Sequence, residues 1–213
     1  MSVTEQRDWH AWHTGYEDAN SDLSRRLEAV LAEICKILPP APTAEFNVLS
    51  ICAGQAHDII GVLSEYSHAD KVKARLVERN PRNVEQIRAK AAAAGLDVDV
   101  VEGDAADTSL YEGATPADLV LAVGIFGNIS DADVFTTIEA LPQFCKPGAT
   151  VLWSRGRHLQ PDITAQIRLA FVDAGFVETA FHAPEDARFQ IGADRYEGPA
   201  RALQRGHLFT FLK

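Results

Sequence analysis

Residues 48–58 (Val-Leu-Ser-Ile-Cys-Ala-Gly-Gln-Ala-His-Asp) carry the densest chemical signal in the chain. A short apolar run breaks into a turn of small residues, Cys52, Ala53, Gly54, Gln55 and Ala56, and Asp58 then opens a helix-like stretch. Small side chains at such a turn leave backbone amides bare, so a nucleotide-like ligand can approach them closely. Three further positions fit the same chemistry. Glu78 stands 24 residues beyond Gly54, where a carboxylate can take both hydroxyls of a ribose. Gly103, Asp104 and Ala105 form a turn whose carboxylate can accept a hydrogen bond from an exocyclic amine. In Gly124-Ile125-Phe126-Gly127-Asn128, two glycines flank apolar residues able to pack on a planar base. Taken singly, Glu78 or Asp104 reads more simply as a solvated carboxylate. With the turns at 52–56 and 124–128, they fall at four successive strand ends.

The elements that must position these residues follow from periodicity. Leu23, Leu27, Val30, Leu31, Ile34 and Leu38 recur at helical spacing, with Asn20 or Ser21 as cap and Pro39-Pro40 as the stop. Strands are expected over residues 46–51, 72–77, 98–101, 118–123, 150–153, 176–181 and 207–212. Helices are expected over 58–66, from a cap at Asn80 with Pro81 first to Gly95 just past the end, over 130–141, and over 161–174 with Gly175 closing it. Strands alternating with helices predict an α/β fold with a mostly parallel sheet covered on both faces. No obvious helix separates the last two strands, which reads as an antiparallel pair at one edge. Residues 1–20 hold Trp9, His10, Trp12, His13 and Tyr16 without a regular period, which predicts an aromatic flap packed on a preformed surface.

The chain has 213 residues, 46% of them hydrophobic, enough for one sizeable core and most simply one domain. Net charge is −10, which repels phosphate backbones and anionic membranes; neither nucleic acid nor a membrane is expected as a partner. No apolar stretch approaches the length of a membrane span, and residues 1–12 hold no apolar signal core. Cys35, Cys52 and Cys145 lack a CxxC spacing, so neither a disulfide framework nor a metal site is indicated, and a cytoplasmic protein is expected.

In this order, the four turns resemble those of the class I S-adenosylmethionine-dependent methyltransferases over residues 45–213. The resemblance implies a doubly wound, seven-stranded Rossmann-like sheet with an antiparallel last strand. It implies a single domain, 1–213, with residues 1–40 as an N-terminal helical and aromatic cap. Cys52, Ala53, Gly54 and Gln55 would hold the methionine part of S-adenosyl-L-methionine, and Glu78, with Arg79 beside it, the ribose. Gly103, Asp104 and Ala105 would take the adenine, while Gly124, Ile125 and Phe126 would line the pocket. Tyr16 and Arg26 would meet the cofactor's carboxylate, Arg26 through two parallel hydrogen bonds. The family usually has Asp at Ser50 and glycines at Cys52 and Ala56; only Gly54 is kept, and Asp58 would supply the charge missing at Ser50.

Methyl transfer from a sulfonium is an in-line displacement that rests mostly on positioning, with a base only where the nucleophile has a proton to lose. His13 or His158 would be that base, and Trp12, Asn128, Arg155 and Tyr196 would line the acceptor site. Residues 127–130, Gly-Asn-Ile-Ser, lack the Asp/Asn-Pro-Pro-aromatic turn of amino-group methylases of DNA bases and protein glutamine, which leaves a small-molecule acceptor. The expected activity is of EC 2.1.1 type, with S-adenosyl-L-homocysteine as product, from a monomer or homodimer. Three rivals stand beside it. A nicotinamide-dependent oxidoreductase would need G-x-G-x-x-G, of which one glycine is present. The others are a non-catalytic cofactor-binding module or partner subunit, and an enzyme that uses the same cofactor for other chemistry.

Overall fold

The computed structural model describes Asp18 and residues 21–212; the predicted site residues Trp12, His13 and Tyr16 lie outside the described residues. Helix α1 (Asp22–Ile37) starts at Ser21, whose hydroxyl accepts from the Ser24 amide at 3.0 Å. It is followed by Pro39-Pro40, which cannot continue a helix. The chain then alternates through β1 (Phe46–Ile51), α2 (His57–Glu65), β2 (Val72–Glu78), α3 (Pro81–Ala93), β3 (Val98–Glu102) and β4 (Ala117–Ala122). It continues through α4 (Asp131–Ala140), β5 (Cys145–Gly156), α5 (Thr164–Asp173), β6 (Phe176–His182) and β7 (Phe189–Tyr196). Asn80 caps α3 by accepting from Arg82, with Pro81 at the first position. Ser130 caps α4, with Asp131 and Asp133 in the first turn against the positive end of the helix. Helix α5 begins at Thr164 rather than Pro161, because Asp162 Oδ1 accepts from the Thr164 amide at 3.0 Å and fixes the start there.

The seven strands form one sheet in the order β3-β2-β1-β4-β5-β7-β6. β1 to β5 pair in parallel, and β7 runs antiparallel to both of its neighbours. This is the doubly wound α/β sheet with a reversed last strand. Alternation along the strands splits the core in two. Leu49, Ile51, Val120, Ala122, Val151 and Trp153 face a cluster completed by α4 and α5. Val48, Leu119, Leu121 and Leu152 face the other, completed by α1, α2 and α3.

The expected strand over 207–212 is corrected. The seventh strand is β7, in a stretch that reads as a loop in sequence, and it lies between β5 and β6 rather than at an edge. Gly192 and Asp194 break the apolar pattern there, but both serve Trp153. A Cβ on Gly192 would stand 2.3 Å from the Trp153 ring, and the Trp153 indole donates to Asp194 Oδ2 at 2.7 Å. Residues 207–212 meet the rest of the chain at isolated bridges, His207 with Asp107 and Phe211 with Ile129.

Candidate functional site

Strand order reverses between β1 and β4, so their following turns diverge and leave a crevice at the carboxyl ends of the strands. In the turn after β1, Cys52, Gly54 and Ala56 have φ of +57°, +58° and +51°. Left-handed backbone suits Gly54, whereas each of the other two carries about 1–2 kcal/mol of strain. Hydrogen bonds hold the turn in that shape. The Ala53 amide donates to Val77 O at 2.9 Å, Ala56 N to Ala53 O at 2.8 Å, and Lys90 Nζ to Gln55 O at 3.1 Å.

Glu78, at the end of β2, is buried. Its Oε2 accepts from the Gly54 amide at 2.8 Å, and its Oε1 from Asn80 N at 2.7 Å and Asn83 Nδ2 at 3.4 Å. Burial pushes its carboxyl pKa up, against the pull of these donors. Its carbonyl accepts from Gly103 N at 3.0 Å, tying the ends of β2 and β3 together. Arg79 points into solvent-exposed surroundings. The Cys52 thiol is pushed well above its ordinary pKa by burial and by the nearby charges of Glu78 and Asp104. It is a small, protonated lining group rather than a nucleophile.

Asp58 is held above the usual carboxylate range by burial, with the Ile59 amide at 2.7 Å and the charges of Arg26 and Lys90 pulling the other way. Arg26 of α1 is thus close enough to the turn for its charge to act on Asp58. His57 is lowered to about 4 by burial and the Lys90 charge. It is neutral at physiological pH, with Nε2 3.1 Å from Gln55 Oε1.

Asp104 Oδ1 accepts from Ala106 N at 3.1 Å, and the Ala105 carbonyl accepts from Tyr111 Oη at 2.5 Å. Gly124, with φ +81°, donates to Ser154 Oγ at 2.9 Å and accepts from Asn128 Nδ2 at 2.7 Å. A Cβ on Gly124 would meet nothing within 4 Å, so open space lies over this residue.

Several expected contacts are not brought to the crevice. Ile125 and Phe126 are fully buried, and the Phe126 ring lies 5.9 Å from Trp153 and 6.5 Å from Phe171. These side chains belong to the core, which leaves the backbone of that turn as its contribution. Arg155 is buried as well, donating to the Phe126 carbonyl and to Asp131 Oδ1 at 3.0 Å, so its charge is spent on clamping β5 to the start of α4. Tyr196 pairs with Phe176 at the first residue of β6, the opposite end of the sheet, and its hydroxyl donates to Pro199 O at 2.8 Å. His158 is exposed in the turn after β5, its ring over Gly156. Lys90 and Asn83 brace the site without any signal in the sequence, since each reads as an ordinary helix residue.

Among the described residues, no group of three or more His, Cys, Asp and Glu could hold a metal ion, and no helix is long and apolar enough to cross a membrane.

No family model and no curated protein matches the sequence. Solved structures match its fold. The magnesium protoporphyrin IX methyltransferase of Synechocystis PCC 6803 with bound S-adenosylhomocysteine superposes with TM-score 0.66 at 13% identity, over 87% of this chain and 92% of that one. The same enzyme with bound S-adenosylmethionine matches over 91% and 100%, at TM-score 0.66 and 13% identity. An O-methyltransferase family protein from Burkholderia thailandensis matches with TM-score 0.61 at 15% identity, over 90% of this chain and 69% of that one. The chain has the class I methyltransferase fold.

Proposed function

We propose that this chain is an S-adenosyl-L-methionine-dependent methyltransferase of EC 2.1.1 type, cytoplasmic, acting on a small-molecule acceptor. The observation that carries the reading is the buried Glu78 carboxylate, bonded to the Gly54 amide at the point where strand order reverses. The residues fit the cofactor. Glu78 offers an oriented carboxylate for the ribose, and the long 3.4 Å contact from Asn83 yields easily to a hydroxyl. The open space over Gly124 leaves room beside the turn. Two of the similar structures hold the cofactor or its product, which supports the same reading.

Glu78 would hold the ribose, Asp104 the adenine, and residues 52–55 the methionine part, with Arg26 and Asp58 as its charge partners. When bound, the cofactor supplies an electrophilic methyl group. The chain's own contribution is to orient that group and exclude water, which needs no acid on the leaving thioether. His158 is the described candidate for accepting a proton from the acceptor.

Calorimetric titration with S-adenosylmethionine, S-adenosylhomocysteine and NAD⁺ tests the reading. Micromolar binding of either sulfur compound and none of NAD⁺ is expected; binding of NAD⁺ alone overturns it. A non-catalytic binding module is the second reading, favoured by Arg155 being committed to Asp131 rather than to an acceptor. Turnover of any acceptor excludes it.

A further inference from the structure

The segment after β7 crosses back over the carboxyl ends of the strands. Thr108 Oγ1 donates to Gln204 O at 2.8 Å, and the Gly206 amide donates to Thr108 Oγ1 at 2.7 Å. Thr108 N donates to Gly206 O at 3.0 Å, Leu208 N to Ala106 O at 2.9 Å, and Leu212 N to Asn128 O at 2.9 Å. Leu208 and Phe209 are buried against the same cluster as α4 and α5. The segment is thus a strap, anchored at one end to the turn after β3 and at the other to the turn after β4. His207 sits between two of its anchors, so its backbone is fixed on both sides.

His207 Nε2 lies 3.4 Å from Asp104 Oδ2, with the two side chains 54% and 45% exposed. The other oxygen, Oδ1, is committed to the Ala106 amide. His207 is thus within hydrogen-bond reach of the remaining carboxylate oxygen. The charged groups facing the pair are Asp107, which bridges to His207 through the backbone, and Arg205, which is paired with Glu112.

We infer that the strap is part of the ligand site and that His207 is a positioning residue acting through Asp104. An imidazole N–H donated to Oδ2 leaves a second lone pair of that oxygen aimed at the amine edge of a purine. The inference rests on the cofactor reading above and extends it: it assigns discrimination between purine 6-amino and 6-oxo groups to a pair of residues 103 apart in sequence. A 6-oxo purine would set its carbonyl against the fixed carboxylate, two acceptors with no proton between them.

The test is calorimetric binding of S-adenosylhomocysteine and of S-inosylhomocysteine, in which an oxo group replaces the 6-amino group and N1 gains a proton. The wild type should prefer the adenosyl compound. His207→Ala should reduce the preference by roughly three- to tenfold, the worth of one oriented hydrogen bond. His207→Gln, which keeps a donor, should restore part of it, and Arg195→Ala, on β7 and paired with Glu197, should leave it unchanged. Equal weakening of both ligands in His207→Ala would mean that the strap is only structural, and unchanged binding would mean that His207 plays no part; either overturns the inference. A wild type that binds both compounds alike overturns the inference but keeps the cofactor reading. A wild type that binds neither overturns both.

Discussion

The Glu78 carboxylate and the Gly54 amide, 24 residues apart in the chain, meet at 2.8 Å. One bond thereby fixes the orientation of the acidic side chain at the end of β2 and the shape of the turn after β1. The two parts of the crevice are built as a unit. Loss of the carboxylate accordingly has two readouts. In Glu78→Ala, affinity for S-adenosylhomocysteine should fall by about 1–3 kcal/mol, with a smaller loss of stability because the Gly54 and Asn80 amides lose a buried acceptor. Calorimetry and urea unfolding on the same variant separate the two; unchanged affinity would remove Glu78 from the site.

The left-handed backbone at Ala56 makes a second prediction. Ala56→Gly relieves strain of about 1–2 kcal/mol but gives up a buried methyl worth about 0.8 kcal/mol. The balance is a gain of up to about 1 kcal/mol, visible as a higher urea midpoint at unchanged slope. A clear loss of stability would show that the turn is relaxed as it stands.

Gly192 has no such latitude. A Cβ there falls 2.3 Å from the ring of Trp153, which is fully buried and stacked 5.7 Å from Phe171. The ring cannot swing aside without opening the cluster, so Gly192→Ala should destabilise by about 1–3 kcal/mol or prevent folding. Thermal unfolding checks this, and a melting temperature equal to the wild type would contradict the packing described for β5 and β7.

Two titrating groups, Asp194 buried and His57 half-buried, pull stability in opposite directions across mildly acidic pH. Burial, reinforced by Glu178, raises Asp194 to about 6 from an ordinary value of 3.8. Between these values the folded chain holds a proton that the unfolded chain has released, so stability falls as pH rises through the window and stays lower above it. Asp194→Asn keeps an acceptor for the Trp153 indole and should be about 1–3 kcal/mol more stable at pH 8, with little gain at pH 4.

His57, lowered to about 4 from an ordinary value of 6.5, acts with the other sign. Below pH 6.5 the unfolded chain takes up a proton that the folded chain refuses, and stability falls as pH drops. His57→Gln should flatten that acid limb by about 1–2 kcal/mol. Urea titrations from pH 4 to 8 on both variants distinguish the two contributions, which partly cancel in the wild type.

The turns after the first four strands are legible in the sequence because small residues and strand-end carboxylates are local signals. What is not legible depends on partners remote in the chain. Gln190, Gly192 and Asp194 look like loop residues until Thr164 and Trp153 are in place to receive them. Arg155 looks like a ligand-binding cation because nothing in its neighbourhood reveals Asp131, 24 residues earlier. Conversely, the apolar, aromatic run His-Leu-Phe-Thr-Phe-Leu at 207–212 has a strand's composition, and Leu208 and Phe209 are indeed buried, but their backbone finds turns rather than a sheet edge. Composition reports which side chains seek the core; it does not report what the backbone pairs with.

The position of β7 also sets an order of events. A ribosome that has released the chain only as far as β6 exposes a β5 edge whose final neighbour has not been made. The outer sheet closes when Phe189–Tyr196 slides between two strands already synthesised, and only then can residues 204–212 lie across the crevice. The crevice is thus completed only after residue 212 has been made, and a nascent chain stalled before residue 189 would present an open, apolar strand edge suited to chaperones or to self-association.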